Sequence, residues 1–185
     1  MKTFVLIYDG FRQFEVVLVC YFMKASQSEI IIVALDERDM SSFEGFHTQP
    51  HKLLSEVHAD EVDLFVIPGG DPKTIYNTPI LNTFLTELHE KGTYIAAICG
   101  APVHLAKAGI LNGRQFTTSV IKEYQDDFKG GVLKDENVVI DGNIITAKPN
   151  AYVDFAIEVG KIMDIYEDEA DFQQTIEFFK YFKDV

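Results

Sequence analysis

Cys99 has the surroundings a nucleophile needs. The run Tyr94-Ile95-Ala96-Ala97-Ile98 before it carries no charge, and Gly100-Ala101-Pro102 follows. Such a run predicts a strand buried on both faces. The pattern beyond it predicts a helix that begins almost at once, runs to about Ala108 and closes at Gly109. A strand that turns straight into a helix crowds its own backbone. Small residues at Ala97, Gly100 and Ala101 let that turn close while one side chain projects from its tip. A small-x-nucleophile-x-small elbow works in this way. A thiol at a helix N-terminus also sits where the macrodipole favours the thiolate. The competing reading is a small cysteine buried in a core, the usual state of a lone thiol.

Two further groups could serve that thiol. Pro68-Gly69-Gly70 stops the apolar run Val62-Asp63-Leu64-Phe65-Val66-Ile67 abruptly. Glycines after a strand leave backbone N–H groups unshielded, so Gly70 and Gly100 could form an oxyanion hole beside the sulfur. Glu15 lies about a turn into the first predicted helix, near the Asp9-Gly10 turn. It could lean over the same rim and hydrogen-bond the thiol, donating to the thiolate as a proton-holding carboxyl. Taken singly, Gly69-Gly70 reads as a tight turn and Glu15 as a solvated helix face. Their convergence on one rim gives the combination its weight.

The elements that must position these residues are legible along the chain. Phe4 to Tyr8 and Ile30 to Leu35 predict buried strands. Between them Phe14, Val17, Leu18, Tyr21, Phe22 and Ala25 recur at helical spacing. Thr78-Pro79 has the form of a helix start and Gly92 of its end. Ile121 to Phe128 predicts a helix before Gly130-Gly131, and Asp141-Gly142-Asn143 predicts a hairpin. Tyr152 to Met163 marks a long helix, and a last one spans roughly 168–182. Alternating strands and helices imply an α/β fold, a mostly parallel sheet with helices on both faces. Its ligand site lies beyond the carboxyl ends of the strands. Asp9-Gly10, Pro68-Gly69-Gly70 and Cys99-Gly100 should meet there. The 185 residues read as one domain, with no repeat or linker.

Composition limits the partners. A formal net charge of -13 disfavours nucleic acid and anionic membranes. Two cysteines, Cys20 and Cys99, make neither a disulfide framework nor a zinc site. No charged-then-apolar leader opens the chain and no run approaches membrane-spanning length, so a cytoplasmic location is expected. His47, His51 and His58 do not keep metal-ligand spacing around Pro50, so no metal is expected, and no cofactor is called for. His104 should face away from the sulfur, as a core or surface residue. Lys148 and Asn150 precede the long helix and could edge the site.

Glu15 in Phe14-Glu15-Val16, the turn Ile67-Pro68-Gly69-Gly70, the elbow Ala96 to Pro102 and the stretch Leu105-Ala106-Lys107-Ala108-Gly109-Ile110-Leu111-Asn112-Gly113 together resemble the ThiJ/PfpI superfamily, allied to class I glutamine amidotransferase domains. The likeness extends in order to about Met163. It implies a flavodoxin-like three-layer sandwich, with Cys99 as nucleophile, Glu15 as its carboxyl partner and Gly70 with Gly100 as oxyanion donors. Activities in the superfamily include glyoxalase, deglycase, peptidase, isocyanide hydratase and redox or chaperone roles. One departure matters. Many members place a histidine after a Thr-Thr pair, whereas Thr117-Thr118 is followed here by Ser119. Serine is no base at neutral pH, which argues against Cys–His peptidase chemistry. The His-x-Glu of amidotransferases is missing too. Ser119, Gly69 and Asn150 are the candidate second shell of the site.

Two functions follow as expectations. In one, an enzyme uses Cys99 against a small carbonyl or related electrophile. In the other, a non-catalytic stress or redox-responsive protein has Cys99 oxidised to a sulfinate held by Glu15. The partner is accordingly a small-molecule substrate or an oxidant. Phe172, Ile176, Phe179 and Phe182 form a stripe on the last helix, with Phe178 and Tyr181 beside it, which predicts a homodimer. Cys99 is expected to have a lowered pKa and to outreact a shielded Cys20. Glu15 is expected to hold a proton. A Gly70→Val change is expected to harm function more than folding.

Overall fold

A computed structural model describes residues 1–184. The first half of the chain holds β1 (Lys2–Leu6), α1 (Phe14–Ala25), β2 (Glu29–Ala34), the two-residue strands β3 (Met40–Ser41), β4 (His47–Thr48) and β5 (Lys52–Leu53), then β6 (Leu64–Ile67) and α2 (Pro79–Lys91). The second half holds β7 (Tyr94–Ile98), α3 (Pro102–Lys107), β8 (Gln115–Phe116), β9 (Val132–Leu133), β10 (Val138–Asp141), β11 (Ile144–Ala147), α4 (Tyr152–Ile162) and α5 (Glu169–Tyr181).

Seven strands form the main sheet in the order β10-β11-β7-β6-β1-β2-β5. Every pair is parallel except β10 with β11, the hairpin turned at Gly142 with φ +61°. Central parallel strands are covered on both faces, and beyond the partly exposed Lys2 that opens β1 they carry no charge: Phe4, Phe65, Ile95 and Ala97 look one way, and Val5, Val66, Ala96 and Ile98 the other. The first set packs on α2 through Leu81, Phe84, Leu85 and Leu88, and on Val103 and Leu105 of α3. The second packs on Val16, Val19, Phe22 and Met23 of α1 and on Phe155, Ala156 and Val159 of α4. This is the three-layer sandwich, with α5 added outside α1 and α4.

Helix ends follow the local chemistry. Pro79 opens α2 after Thr78, and Gly92 closes it at φ +76°. Asp168 caps α5 by accepting from the N–H groups of Ala170 and Asp171. The helix expected over 121–128 does not form. That stretch is a chain of turns ending in a 3-10 helix at Asp127–Gly130. Tyr124 packs against Tyr76 with ring centroids 5.2 Å apart, and Phe128 stacks on Phe116 at 4.9 Å. These aromatic anchors, drawn to two places, outweigh the periodic spacing that suggested a helix.

The stripe on α5 also divides. Phe179 packs edge-on against Phe22 at 4.9 Å, and Phe172 against Tyr166, so that side is used within the chain. Phe178, Tyr181 and Phe182 point outward, Phe182 with 89% of its surface exposed. Among the described residues no helix is long and apolar enough to cross a membrane.

Candidate active site

Because β1, β6, β7 and β11 run in one direction, their carboxyl ends share an edge. Ile67 pairs with Ala97, and Ile98 with Ala147, which aligns the ends of three strands. The chain leaves β7 into Cys99, whose φ is +66°. A non-glycine residue in the left-handed region is strained and persists only where its surroundings over-determine it. Here they do. The Cys99 N–H donates to Ala147 O at 2.9 Å. Its carbonyl accepts from Ser119 N–H at 3.0 Å and from Thr118 Oγ1 at 2.9 Å. Pro102 then occupies the first position of α3, as a helix start favours. The predicted elbow is present.

Glu15 is the second residue of α1, and its side chain is turned inward, with 2% of the residue exposed. Gly69 N–H donates to Glu15 Oε2 at 2.8 Å. The carboxyl and the Cys99 side chain meet across Gly69. A Cβ placed on that glycine would lie 2.5 Å from Cys99 Cβ, 2.5 Å from Glu15 Oε2 and 2.9 Å from the sulfur. Gly69 is therefore the spacer that lets acid and thiol meet, a larger role than the supporting one the sequence suggested. Ser119 Oγ lies 3.5 Å from the sulfur, where the resemblance had called for a histidine.

The Gly100 N–H acts on the sulfur, and neither it nor the Gly70 N–H donates to a backbone carbonyl among the described residues. The Gly100 donor is thus already turned to the sulfur, and the Gly70 donor is uncommitted among the described residues. Gly70, with φ +156°, also has a packing role. A Cβ there would come within 2.8 Å of the Tyr8 ring and hydroxyl and 3.0 Å of Gly10 O. Gly70→Val, expected to harm function more than folding, is a folding lesion as well: φ is positive, and the side chain collides with a buried tyrosine whose hydroxyl donates to Pro68 O at 3.0 Å. Asn150 is exposed, and no hydrogen bond joins it to the site among the described residues. Among those residues no group of three or more His, Cys, Asp or Glu is placed to hold a metal ion.

The electrostatics run against the sequence-based expectation. Burial, then the adjacent Glu15 charge, pushes the Cys99 thiol up to about 11. The Ser119 hydroxyl and the Gly100 N–H pull the other way and do not win. The α3 helix has only six residues, too few for much of a dipole. Burial also raises Cys20 to about 11, so proton affinity does not separate the two thiols. Burial raises the Glu15 pKa as well, against the Gly69 N–H, the Cys99 side chain and the Arg12 charge, which lower it. What distinguishes Cys99 is a proton acceptor in contact with it. Glu15 opposes a resting thiolate, yet a carboxylate of raised basicity is well suited to take the thiol proton during attack.

An opposite pair of effects is expected from Glu15→Leu. Losing the carboxylate lowers the Cys99 pKa, so iodoacetamide labels Cys99 several-fold faster near pH 8. Any turnover that passes the Cys99 proton to Glu15 falls, because the acceptor is gone. Peptide-resolved labelling against pH, beside a turnover assay, checks both. Slower labelling in the variant would reinstate a proton-donating Glu15.

Sequence reasoning missed three residues here. Thr118 clamps the elbow carbonyl. Tyr8, at the end of β1, walls Gly70. Arg12 donates its backbone N–H to Gly69 O at 2.8 Å. Their signal was positional only: Tyr8 lies just past β1, Arg12 just before α1 and Thr118 just past β8.

The fold and elbow define a flavodoxin-like α/β protein with a cysteine at the strand-to-helix turn. The chain belongs to the DJ-1/PfpI family, whose model matches residues 1–161. It is 30% identical over 151 residues to Deglycase TK1284 of Thermococcus kodakarensis, covering 80% of this chain and 90% of that one. An uncharacterized protease of Bacillus subtilis, YoaZ, is 32% identical over 154 residues, covering 79% of this chain and 72% of its own. The crystal structure of the DJ-1 superfamily protein Atu0886 from Agrobacterium tumefaciens superposes with a TM-score of 0.86 at 22% identity. It covers 98% of this chain and 99% of that one, a likeness of fold.

Proposed function

We infer that this protein is an enzyme that adds Cys99 to the carbonyl carbon of a small aldehyde or ketone. The observation that carries the reading is the meeting of a strained, partly buried thiol with a buried carboxyl of raised pKa, beside the Gly100 N–H turned to the sulfur and the uncommitted Gly70 N–H. The S–H bond breaks as the S–C bond forms, and Glu15 takes the proton. The carbonyl electron pair moves to oxygen, where the two N–H groups meet the charge, and the proton returns there to give a hemithioacetal. With a 2-oxoaldehyde, Glu15 can then move the C1 proton to C2, leaving a thioester of a 2-hydroxy acid. Water cleaves that ester and frees the thiol. The net reaction adds one water, with no outside oxidant.

Relatives named deglycase support this class over a purely redox role. The test is methylglyoxal turnover, which Cys99→Ser should lose while melting as wild type does. Full turnover in that variant would return the protein to the redox reading, in which mild peroxide adds two oxygens to Cys99 alone.

The working molecule is taken to be a homodimer. Phe14, Val17, Tyr21, Phe46 and Phe182 are exposed around an apolar groove of about 700 Å³ between α1, α4 and the end of α5. A contiguous exposed apolar face marks an association surface. The net charge of -13 disfavours an anionic membrane or nucleic acid as its cover, and we take the cover to be a second copy of the chain. Light scattering at micromolar concentration should give twice the chain mass, and a monomer would refute the arrangement.

A further inference from the structure

Arg12 stands out among the basic residues. The chain has three arginines. Arg38 is paired with Asp9 and Asp36, and Arg114 with Asp141. Among the described residues Arg12 has no carboxylate partner, in a protein where acids outnumber bases 29 to 16. Its Nη1 is buried and bonds to nothing. An unsatisfied buried donor on a charged group is costly. Arg12 as a whole is only partly buried, and the rest of its guanidinium also lacks an acceptor among the described residues, so the fork is left to be satisfied by a ligand.

The same arginine is held at the Cys99 rim. Its N–H is fixed to Gly69 O at 2.8 Å, on the glycine that spaces Glu15 from Cys99. Its guanidinium sits over the Phe43 ring, with Cζ 3.3 Å from the centroid. Stacking of that kind fixes the fork and leaves its edge for a planar anion. Its charge reaches Glu15 and Tyr8, lowering the proton affinity of both. With a net charge of -13 the molecule as a whole repels anions, so selection of an anionic substrate has to come from a local cation.

We propose that Arg12 binds a carboxylate on the substrate, so that the compound attacked by Cys99 is a small aldehydo or oxo acid with its carbonyl next to the acid group. The proposal rests on the carbonyl reading above. Arg12 then holds the acid while the neighbouring carbonyl carbon faces the sulfur and its oxygen faces Gly70 and Gly100. No bond other than those of the addition step changes.

Two probes of similar size separate the cases: glyoxylate, an aldehyde carrying a carboxylate, and glycolaldehyde, its neutral counterpart. Each is titrated against iodoacetamide labelling of Cys99, read by peptide mass, with Cys20 as the internal reference. Glyoxylate should protect Cys99 at a concentration lower by on the order of ten- to hundredfold, the range of a hydrogen bond to a charged group. Arg12→Met should erase that preference and leave protection by glycolaldehyde in place, while Arg12→Lys keeps part of it. The preference is a ratio taken within one variant, so a general loss of packing does not mimic the result. Equal protection by the two probes in wild type, or a preference that survives Arg12→Met, overturns the proposal and leaves the carbonyl reading standing. Protection by neither overturns both.

Discussion

Gly69→Ala is expected to abolish turnover and to lower stability by about 2 kcal/mol, the usual scale of overpacking a tight site. The added methyl carbon would stand 2.5 Å from Cys99 Cβ and 2.5 Å from Glu15 Oε2, well inside contact distance. Neither neighbour has room to yield. Cys99 Cβ is fixed by an elbow whose N–H and carbonyl are both bonded, and Glu15 Oε2 is held by the Gly69 N–H itself. Relief must separate α1 from the elbow, which parts the proton acceptor from the sulfur. Denaturant midpoints with methylglyoxal turnover give the two readouts. A variant as stable and as active as wild type would mean that Glu15 and Cys99 do not meet across this glycine.

Acid should weaken the fold through His104. This residue sits in α3, 1% exposed, with Nε2 unpartnered. Burial depresses its pKa from the ordinary 6.5 to about 4, since an imidazolium there would be a charge without solvent. The unfolded chain takes up the proton below pH 6.5, while the folded one resists until about pH 4. The unfolded state thus binds more protons across that window, and stability falls as pH falls. The contribution is about 3 kcal/mol between neutrality and pH 4. Urea unfolding at pH 7 and pH 4 should show the loss in wild type and a smaller loss in His104→Leu, which has no proton to gain. Equal losses in the two proteins would place the acid sensitivity elsewhere.

The sandwich was legible because its strands are covered on both sides. Val5, Val66 and Ala96 face one layer while Phe4, Phe65 and Ala97 face the other, so the runs contain no polar face to confuse them. The rim was legible for a topological reason: parallel strands bring glycine turns and the elbow to one edge. Burial at the site was not, and it reversed a sign. A helix N-terminus favours thiolate, but six residues of α3 count for less than an apolar surround and a carboxylate neighbour. Arg12 was invisible because nothing in Phe11-Arg12-Gln13 distinguishes a solvated arginine from one stacked on Phe43, 31 residues away in a separate hairpin. The turns over 121–126 escaped because Ile121, Tyr124 and Phe128 have helical spacing but pack on different partners.

The bonds that hold Cys99 in its left-handed turn also set when the site comes into being. Ala147, Thr118 and Ser119 all lie downstream of the thiol, and Glu15 lies far upstream, its partner Gly69 being 54 residues further on. A chain still emerging, or one in which β11 has slipped from β7, has nothing to keep the elbow closed. There Cys99 relaxes to an ordinary flexible cysteine without a carboxyl neighbour, nearby glycine N–H groups or strain. The meeting of thiol, carboxyl and glycine N–H groups is therefore a property of the completed fold alone. Loss of packing removes the burial and the carboxylate that push this thiol up to about 11, so simple alkylation of Cys99 quickens even as any step that needs Glu15 beside the sulfur is lost.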